Sequence, residues 1–245
     1  MVECWERARN APRSHRKRSL CEPLISAGDL VFDIGASRGM LTLVFRWLGA
    51  RVIAVEPLFA IGPEYVREFA WKFGSDDMVT TVPKAVAPKP SLLMKVHKNL
   101  PFLSSGSIPW MRESAHARFY NSRSTRSATV ATTTLDALIG EYGLPQFIKI
   151  DVEGAESNVI RTLSQPVPAM SMEFHEDWKP VSGMEHMMGL ADYEWNYANG
   201  FRGDYIWRKW QTIPAMLTYM DKHLLKRGPL SWGDIYCRRK DIEWN

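Results

Sequence analysis

The sequence holds only three cysteines, Cys4, Cys21 and Cys237, widely spaced and odd in number. Such a set builds neither a disulfide framework nor a zinc site, and reduced thiols in a cytoplasm are the expectation. No apolar run approaches the ~18 residues needed to span a bilayer. Met1 to Leu20 is basic and polar without an apolar core, so no signal peptide is expected and the localisation expected is cytoplasmic. A strong excess of one charge is also lacking, the net value being +4 over 245 residues. Internal repeats are absent, as are linkers and composition breaks after Asp29 and the G-x-G-x-x-G of a dinucleotide site. What is present suits one large α/β domain with a full core: 45% hydrophobic and 24% charged residues.

The chain is organised around Leu30-Val31-Phe32-Asp33-Ile34-Gly35-Ala36-Ser37-Arg38-Gly39. A short apolar run feeds a glycine turn, and Met40 to Leu48 then has a helical pattern, which is the first β-α unit of an open α/β sheet. Glycine lets that turn take tight φ/ψ values and lets a ligand approach the main chain. A second strand, Ala50 to Val55, ends in Glu56-Pro57. A carboxylate at that edge accepts hydrogen bonds from the two hydroxyls of a ribose. The spacing G-x-x-x-G after an aspartate disfavours a pyrophosphate, beside which Asp33 sits badly. It favours S-adenosylmethionine (AdoMet), which carries a sulfonium, an ammonium and a ribose but no phosphate.

Along the chain, Arg7, Arg9, Arg13, His15, Arg16, Lys17 and Arg18 make the most basic segment. Residues 1–19 are expected to be a solvated or partly disordered arm, with nucleic acid or a membrane surface as the alternative partner. Leu20 to Ala27 reads as a short helix leading into the first strand. Gly62 to Phe73 reads as a helix and Met78 to Val82 as a third strand. Lys84-Ala85-Val86-Ala87 is expected at the edge of the cofactor cleft. Leu92 to Val96 and Ala128 to Thr132 are two further strands. The long polar stretch between them, about 98–127, is expected to be a substrate-side insertion. Asp136 begins a helix capped by Thr133 or Thr134 and ended by Gly143.

The second informative stretch is Phe147-Ile148-Lys149-Ile150-Asp151-Val152-Glu153-Gly154-Ala155-Glu156. An apolar strand delivers Asp151 and Glu153 to its carboxyl end, where open α/β sheets bind ligands, and a helix from about Glu156 to Leu163 follows. These acids ligate a metal, orient a cationic methyl donor with its acceptor, or cap the following helix. No pair has a diagnostic metal-ligand spacing, so no metal is expected. Ala169 to Phe174 is the next strand and ends in His175-Glu176-Asp177. Glu173 and His175 alternate along it and so face one cleft. His175 is the candidate general base, with Glu173 or Asp177 to orient its ring and His97 as a second candidate.

Val31 to Gly39, Thr134-Leu135-Asp136-Ala137-Leu138 and Phe147 to Glu156 together resemble the FkbM family of AdoMet-dependent methyltransferases. The resemblance covers about residues 20–175, and Lys149 to Glu156 is its most specific part. Ser37-Arg38 departs mildly from it, standing where the family usually has Asn and an apolar or small residue. It implies a Rossmann-like class I methyltransferase fold over 20–245, a mostly parallel seven-stranded sheet with helices on both faces. It also implies methylation of a hydroxyl on a small molecule, sugar or natural product. In that scheme Gly35, Ala36 and Gly39 shape the cofactor loop, Asp33 supports the methionine end, Glu56 holds the ribose, and Ser37 and Pro57 also bind the cofactor. Lys84, Ala85 and Asp151 complete the cofactor site, while Asp151, Glu153, Glu173 and His175 face the acceptor. The alternatives are N-methylation of a peptide or nucleic-acid acceptor, a non-catalytic nucleotide-binding module, and a nicotinamide oxidoreductase, the last disfavoured by the missing glycine motif. The aromatic segment Tyr193 to Trp210 lines an acceptor pocket, stacks on bases, forms a dimer face, or packs under a helix from Ile213 to Leu225. Packing is the expected role. Gly233 to Cys237 is the final strand.

Overall fold

A computed structural model describes residues 12–97, 104–107, 125–175, 181–200, 203–224 and 232–244. In chain order its strands are β1 (Leu30–Ile34), β2 (Arg51–Val55), β3 (Val79–Val82), β4 (Ala85–Val86), β5 (Ser91–His97) and β6 (Thr125–Thr133), then β7 (Phe147–Ile150), β8 (Ala169–His175), β9 (Tyr193–Asn199) and β10 (Trp232–Arg239). The helices are α1 (Pro12–Cys21), α2 (Met40–Trp47), α3 (Pro63–Phe73), α4 (Leu135–Tyr142), α5 (Glu156–Ile160), α6 (Val181–Leu190) and α7 (Ile213–Tyr219).

Seven strands form one sheet in the order β3-β2-β1-β7-β8-β10-β9. The pairs from β3 to β8 are parallel, and β10 runs antiparallel to both β8 and β9. The near-continuous apolar runs follow from this, because a parallel strand covered on both faces has no solvent side. Alternate residues of β1 show it. Val31 packs with Leu20 and Cys21 of α1 and Phe45 of α2, whereas Phe32 packs with Leu135 and Leu138 of α4 and Ile160 of α5. Fully burying a side chain such as Phe32 or Phe147 is worth about 1.5–3 kcal/mol. The smaller sheet has the order β4-β6-β5, and its first strand follows directly on β3, with the Lys84 N–H donating to the Val82 carbonyl. The fold is the Rossmann-like class I methyltransferase fold.

Three readings change. The first helix covers Pro12–Cys21 rather than Leu20 to Ala27, so the second half of the basic arm belongs to the folded domain. Ser14, Lys17, Leu20 and Cys21 are its buried residues, a helical spacing hidden by the surrounding charge. Residues 1–11 lie outside the described residues. The helix after Asp151 ends at Ile160, short of Leu163. The aromatic segment begins as a strand, β9, with Tyr193, Trp195 and Tyr197 in the core beside Met216 of α7. Trp207 meets Tyr219 edge-on at 4.7 Å, as the packing role requires. Among the described residues no helix is long and apolar enough to cross a membrane.

Candidate active site

The strand order reverses between β1 and β7: the chain passes from β1 to β2 and β3 on one side, and β7 and β8 lie on the other. Loops leaving the two strands diverge there and open a crevice. The crevice is a cavity of about 490 Å³.

Its floor is the loop after β1. Gly35 has φ +81°, and a Cβ there would lie 1.8 Å from the Asp151 carbonyl oxygen. The β1 and β7 loops are thus in backbone contact, which only glycine allows. Gly35 and Ala36 both donate their N–H to the Val55 carbonyl, tying the loop to β2. Ser37 sits at φ +49° and Glu153 at φ +56°. These are left-handed conformations that cost a side-chain-bearing residue about 1–3 kcal/mol and gather at functional sites.

Glu56 is clamped. Its Oε2 accepts from the Ser37 N–H at 2.9 Å and its Oε1 from the Leu58 N–H at 3.0 Å. Each oxygen keeps a further lone pair, and Glu56 lines the cavity. Burial raises its pKa to about 7 against the pull of the two N–H donors. Asp33 lies deeper, its Oδ2 accepting from the Thr42 hydroxyl at 2.6 Å. Burial raises it to about 6, partly offset by Thr42 and Lys149.

Across the cavity Asp151, Glu153 and Glu173 each bring one carboxylate oxygen within 4.8 Å of the others. The fixed cation beside them is Lys149, 3.3 Å from Asp151 Oδ2. Burial opposes ionisation of Asp151, but Lys149 and a hydrogen bond with Glu173 hold its pKa below the ordinary value. Glu153 goes the other way, raised well above its ordinary value by burial and by Glu173, Asp151 and Glu156. Glu156 is taken up by the loop itself: its Oε1 accepts from the N–H groups of Val152 and Gly154, both at 3.1 Å. Glu156 stands in the first turn of α5, whose N-cap Ala155 makes no side-chain cap bond, so its carboxylate braces the loop rather than capping the helix.

Asp33, Gly35, Ala36, Ser37, Glu56, Pro57, Lys84, Ala85, Asp151, Glu153 and Glu173 all line the cavity. Gly39 does not. It is the N-cap residue of α2, and a Cβ there would come within 2.4 Å of Phe73, so its glycine serves helix packing. His175 closes β8 opposite Trp232, but its side chain lies outside the described residues, as do Glu176, Asp177 and the side chain of His97. Of the expected insertion, 98–103 and 108–124 lie outside them too. Ser104 and Gly106 line the cavity, and the Ser105 hydroxyl donates to the Glu153 carbonyl at 2.7 Å.

Sequence reasoning missed Leu92 and Met94 of β5 and Trp232 of β10, which add apolar walls. Their alternation read only as strand. The one signal for Trp232 was its place just before the expected last strand, which runs antiparallel and so begins at the sheet's active edge.

The family model for the methyltransferase FkbM domain matches residues 33–223. No curated protein matches the chain. Among solved structures, a methyltransferase FkbM from Methylobacillus flagellatus KT is similar at 15% identity and TM-score 0.48. That likeness covers 87% of this chain but 44% of that one, so the chain spans less than half its length. The precorrin-6y C5,15-methyltransferase from Geobacter metallireducens GS-15 is 13% identical with TM-score 0.46, covering 91% and 88% of the two chains. Because the family match runs over most of the chain, from Asp33 at the base of the cavity to His223 beyond α7, the protein belongs to the FkbM family of AdoMet-dependent methyltransferases.

Proposed function

We propose that the cavity binds AdoMet and that the protein methylates a hydroxyl on a small molecule, sugar or natural product. The observation that carries the cofactor half is charge. Asp33, Glu56, Asp151, Glu153 and Glu173 all line one cavity at the switch point. A pyrophosphate there meets like charge, whereas a ligand with a sulfonium and an ammonium meets its complement. AdoMet, when bound, supplies an already activated methyl group.

The residues then align and desolvate. Glu56, on rigid backbone donors, accepts hydrogen bonds from the ribose hydroxyls, and Asp33 and Asp151 face the cationic end. Pro57, Lys84 and Ala85 complete the cofactor side. Leu92, Met94 and Trp232 keep water from the reacting centre, where positioning and water exclusion supply much of the rate. A hydroxyl acceptor must lose its proton as it attacks, and His175 at the end of β8 is the base assigned to that step. Glu153 and Glu173 face the acceptor. The walls mix an indole and aliphatic groups with carboxylates, which suits an acceptor having both an apolar face and hydroxyls.

The test is calorimetric titration with AdoMet and with NAD, followed by incubation of the protein with methyl-labelled AdoMet and candidate hydroxylated acceptors. AdoMet binding with label entering an ether bond supports the reading. Binding of NAD alone overturns it, and label on nitrogen overturns its hydroxyl half.

A further inference from the structure

Lys149 lies directly behind the cavity, on the sheet face covered by α1. Asp33, Lys149 and Ser171 are register partners across β1, β7 and β8, and Glu173 is opposite Asp234 across β8 and β10. Side chains at these positions share one face, so a polar band crosses the central strands β1, β7 and β8, whose other residues over 30–34, 147–150 and 169–174 are apolar. The Lys149 side chain is only 3% exposed. Its ammonium stands 3.3 Å from Asp151 Oδ2 and 3.3 Å from Asp234 Oδ1, and it donates to the Ile150 carbonyl at 3.1 Å. The other oxygen of Asp234 is held by the Lys17 ammonium of α1. Four charges therefore run in alternating sign, Lys17, Asp234, Lys149, Asp151, from the N-terminal helix to the wall of the cavity.

Taking charges this far out of water costs several kcal/mol each, and a buried ion pair rarely adds stability over apolar residues of equal size. Leu20 and Cys21 of α1 already pack against Val31, Phe147 and Tyr236, so the helix needs no charge to dock. The place where the alternation ends is what gives it a use: the last carboxylate is the one that lines the cavity. Around Lys149 stand Asp33 from β1, Asp151 from the β7 loop, Glu173 from β8, Asp234 from β10, and Lys17 and Cys21 from α1. Around Asp151, besides Lys149, stand acids: Glu173, Asp234, Glu153, Glu156, Glu56 and Asp33. Without the ammonium, Asp151 keeps only its hydrogen bond with Glu173 against them.

We propose, on the reading that this cavity is the AdoMet site, that Lys149 is a positioning residue which fixes the Asp151 carboxylate, charged, in the cavity wall. Lys17 and Asp234 in turn fix Lys149, so that helix α1 is part of the active site. Asp234 suits the inner role: burial opposes its ionisation, but Lys17 and Lys149 outweigh that and hold it at about 2.

The test is carbon NMR of the full chain labelled at the aspartate carboxyl carbon, with Asp151→Asn assigning the resonance. In the unsubstituted protein the Asp151 signal should show no titration above pH 5. In Lys149→Met its titration should move up, above the ordinary carboxylate range. In Lys17→Met, which leaves Lys149 in place, it should move in the same direction by less. An Asp151 signal unmoved in a folded Lys149→Met protein overturns the proposal. If that variant does not fold, Lys17→Met decides. A lowered melting temperature with Asp151 unmoved means Lys17 only pins the helix, and overturns the link to α1 and the proposal with it. AdoMet titration of the unsubstituted protein keeps the two readings apart. Loss of AdoMet binding sinks the cavity assignment whatever Asp151 does, and an unmoved Asp151 sinks the Lys149 role with binding intact.

Discussion

Replacing Glu56 by glutamine tests the cofactor assignment most sharply, because the structure sets both the size of the effect and its pH dependence. Glutamine keeps the shape and one acceptor oxygen but removes the charge. Hydrogen bonds to an ionised acceptor are worth about 1.5–3 kcal/mol, so at pH 8 the variant should bind AdoMet about 10- to 100-fold more weakly. Burial raises the Glu56 pKa to about 7, so in the empty protein it is largely protonated at pH 6. Binding at pH 6 must then first remove that proton, at about 1.4 kcal/mol per pH unit below the pKa. The unsubstituted protein should therefore lose about tenfold in affinity between pH 8 and pH 6, and the gap to the variant should shrink by about that factor. Asp33, raised to about 6, weakens both proteins alike at the acid end. Stability follows the same sign. A carboxyl whose folded pKa exceeds its unfolded value of 4.5 costs nothing below 4.5 and imposes its full penalty above the folded value. That penalty, on the order of 3 kcal/mol, should make the free protein less stable as pH rises from about 4.5 to 7, while Glu56→Gln lacks this contribution. Calorimetry in two buffers of different ionisation enthalpy reads affinity and proton release together. A folded variant binding within about twofold of the unsubstituted protein at pH 8 removes Glu56 from the site, the threshold lying well below the loss of one charged hydrogen bond. A gap equal at pH 6 and pH 8 refutes the burial argument.

Gly35→Ala puts a Cβ 1.8 Å from the Asp151 carbonyl at a φ of +81°, so either the protein fails to fold or the two loops part. AdoMet binding should vanish, and binding near the original affinity would refute the backbone-contact account. His175→Ala should lower the methylation rate ~10²–10⁴-fold with AdoMet affinity nearly intact, the range of a general base; a variant keeping most of its turnover moves the role to Asp151. Methylation should survive EDTA, because the charge beside Asp151, Glu153 and Glu173 is balanced by Lys149 and the cofactor. Turnover lost on chelation and restored by magnesium or calcium would refute this.

The parts of this protein that its sequence determined by itself are those written in neighbouring residues. An apolar run, a glycine turn and a helical repeat make β1 and α2 recognisable, and strand length alone delivers Glu56 and Asp151 to the carboxyl edge. The Thr134 cap is likewise local, its hydroxyl accepting from the Ala137 N–H three residues on. Tertiary structure decided everything that depends on a distant partner. Gly35 and Gly39 look alike in sequence, yet one faces the Asp151 backbone and the other Phe69 and Phe73. Glu153 and Glu156 look alike too, but only Glu156 is consumed by its own loop. Trp232 reaches the cavity because β10 inserts antiparallel between β8 and β9. Lys17 sits in the most basic stretch of the chain and reads as solvated, but its partner Asp234 lies 217 positions away. A charge stays exposed or goes inside according to whether folding brings it an opposite one, and no local pattern records where that partner will be.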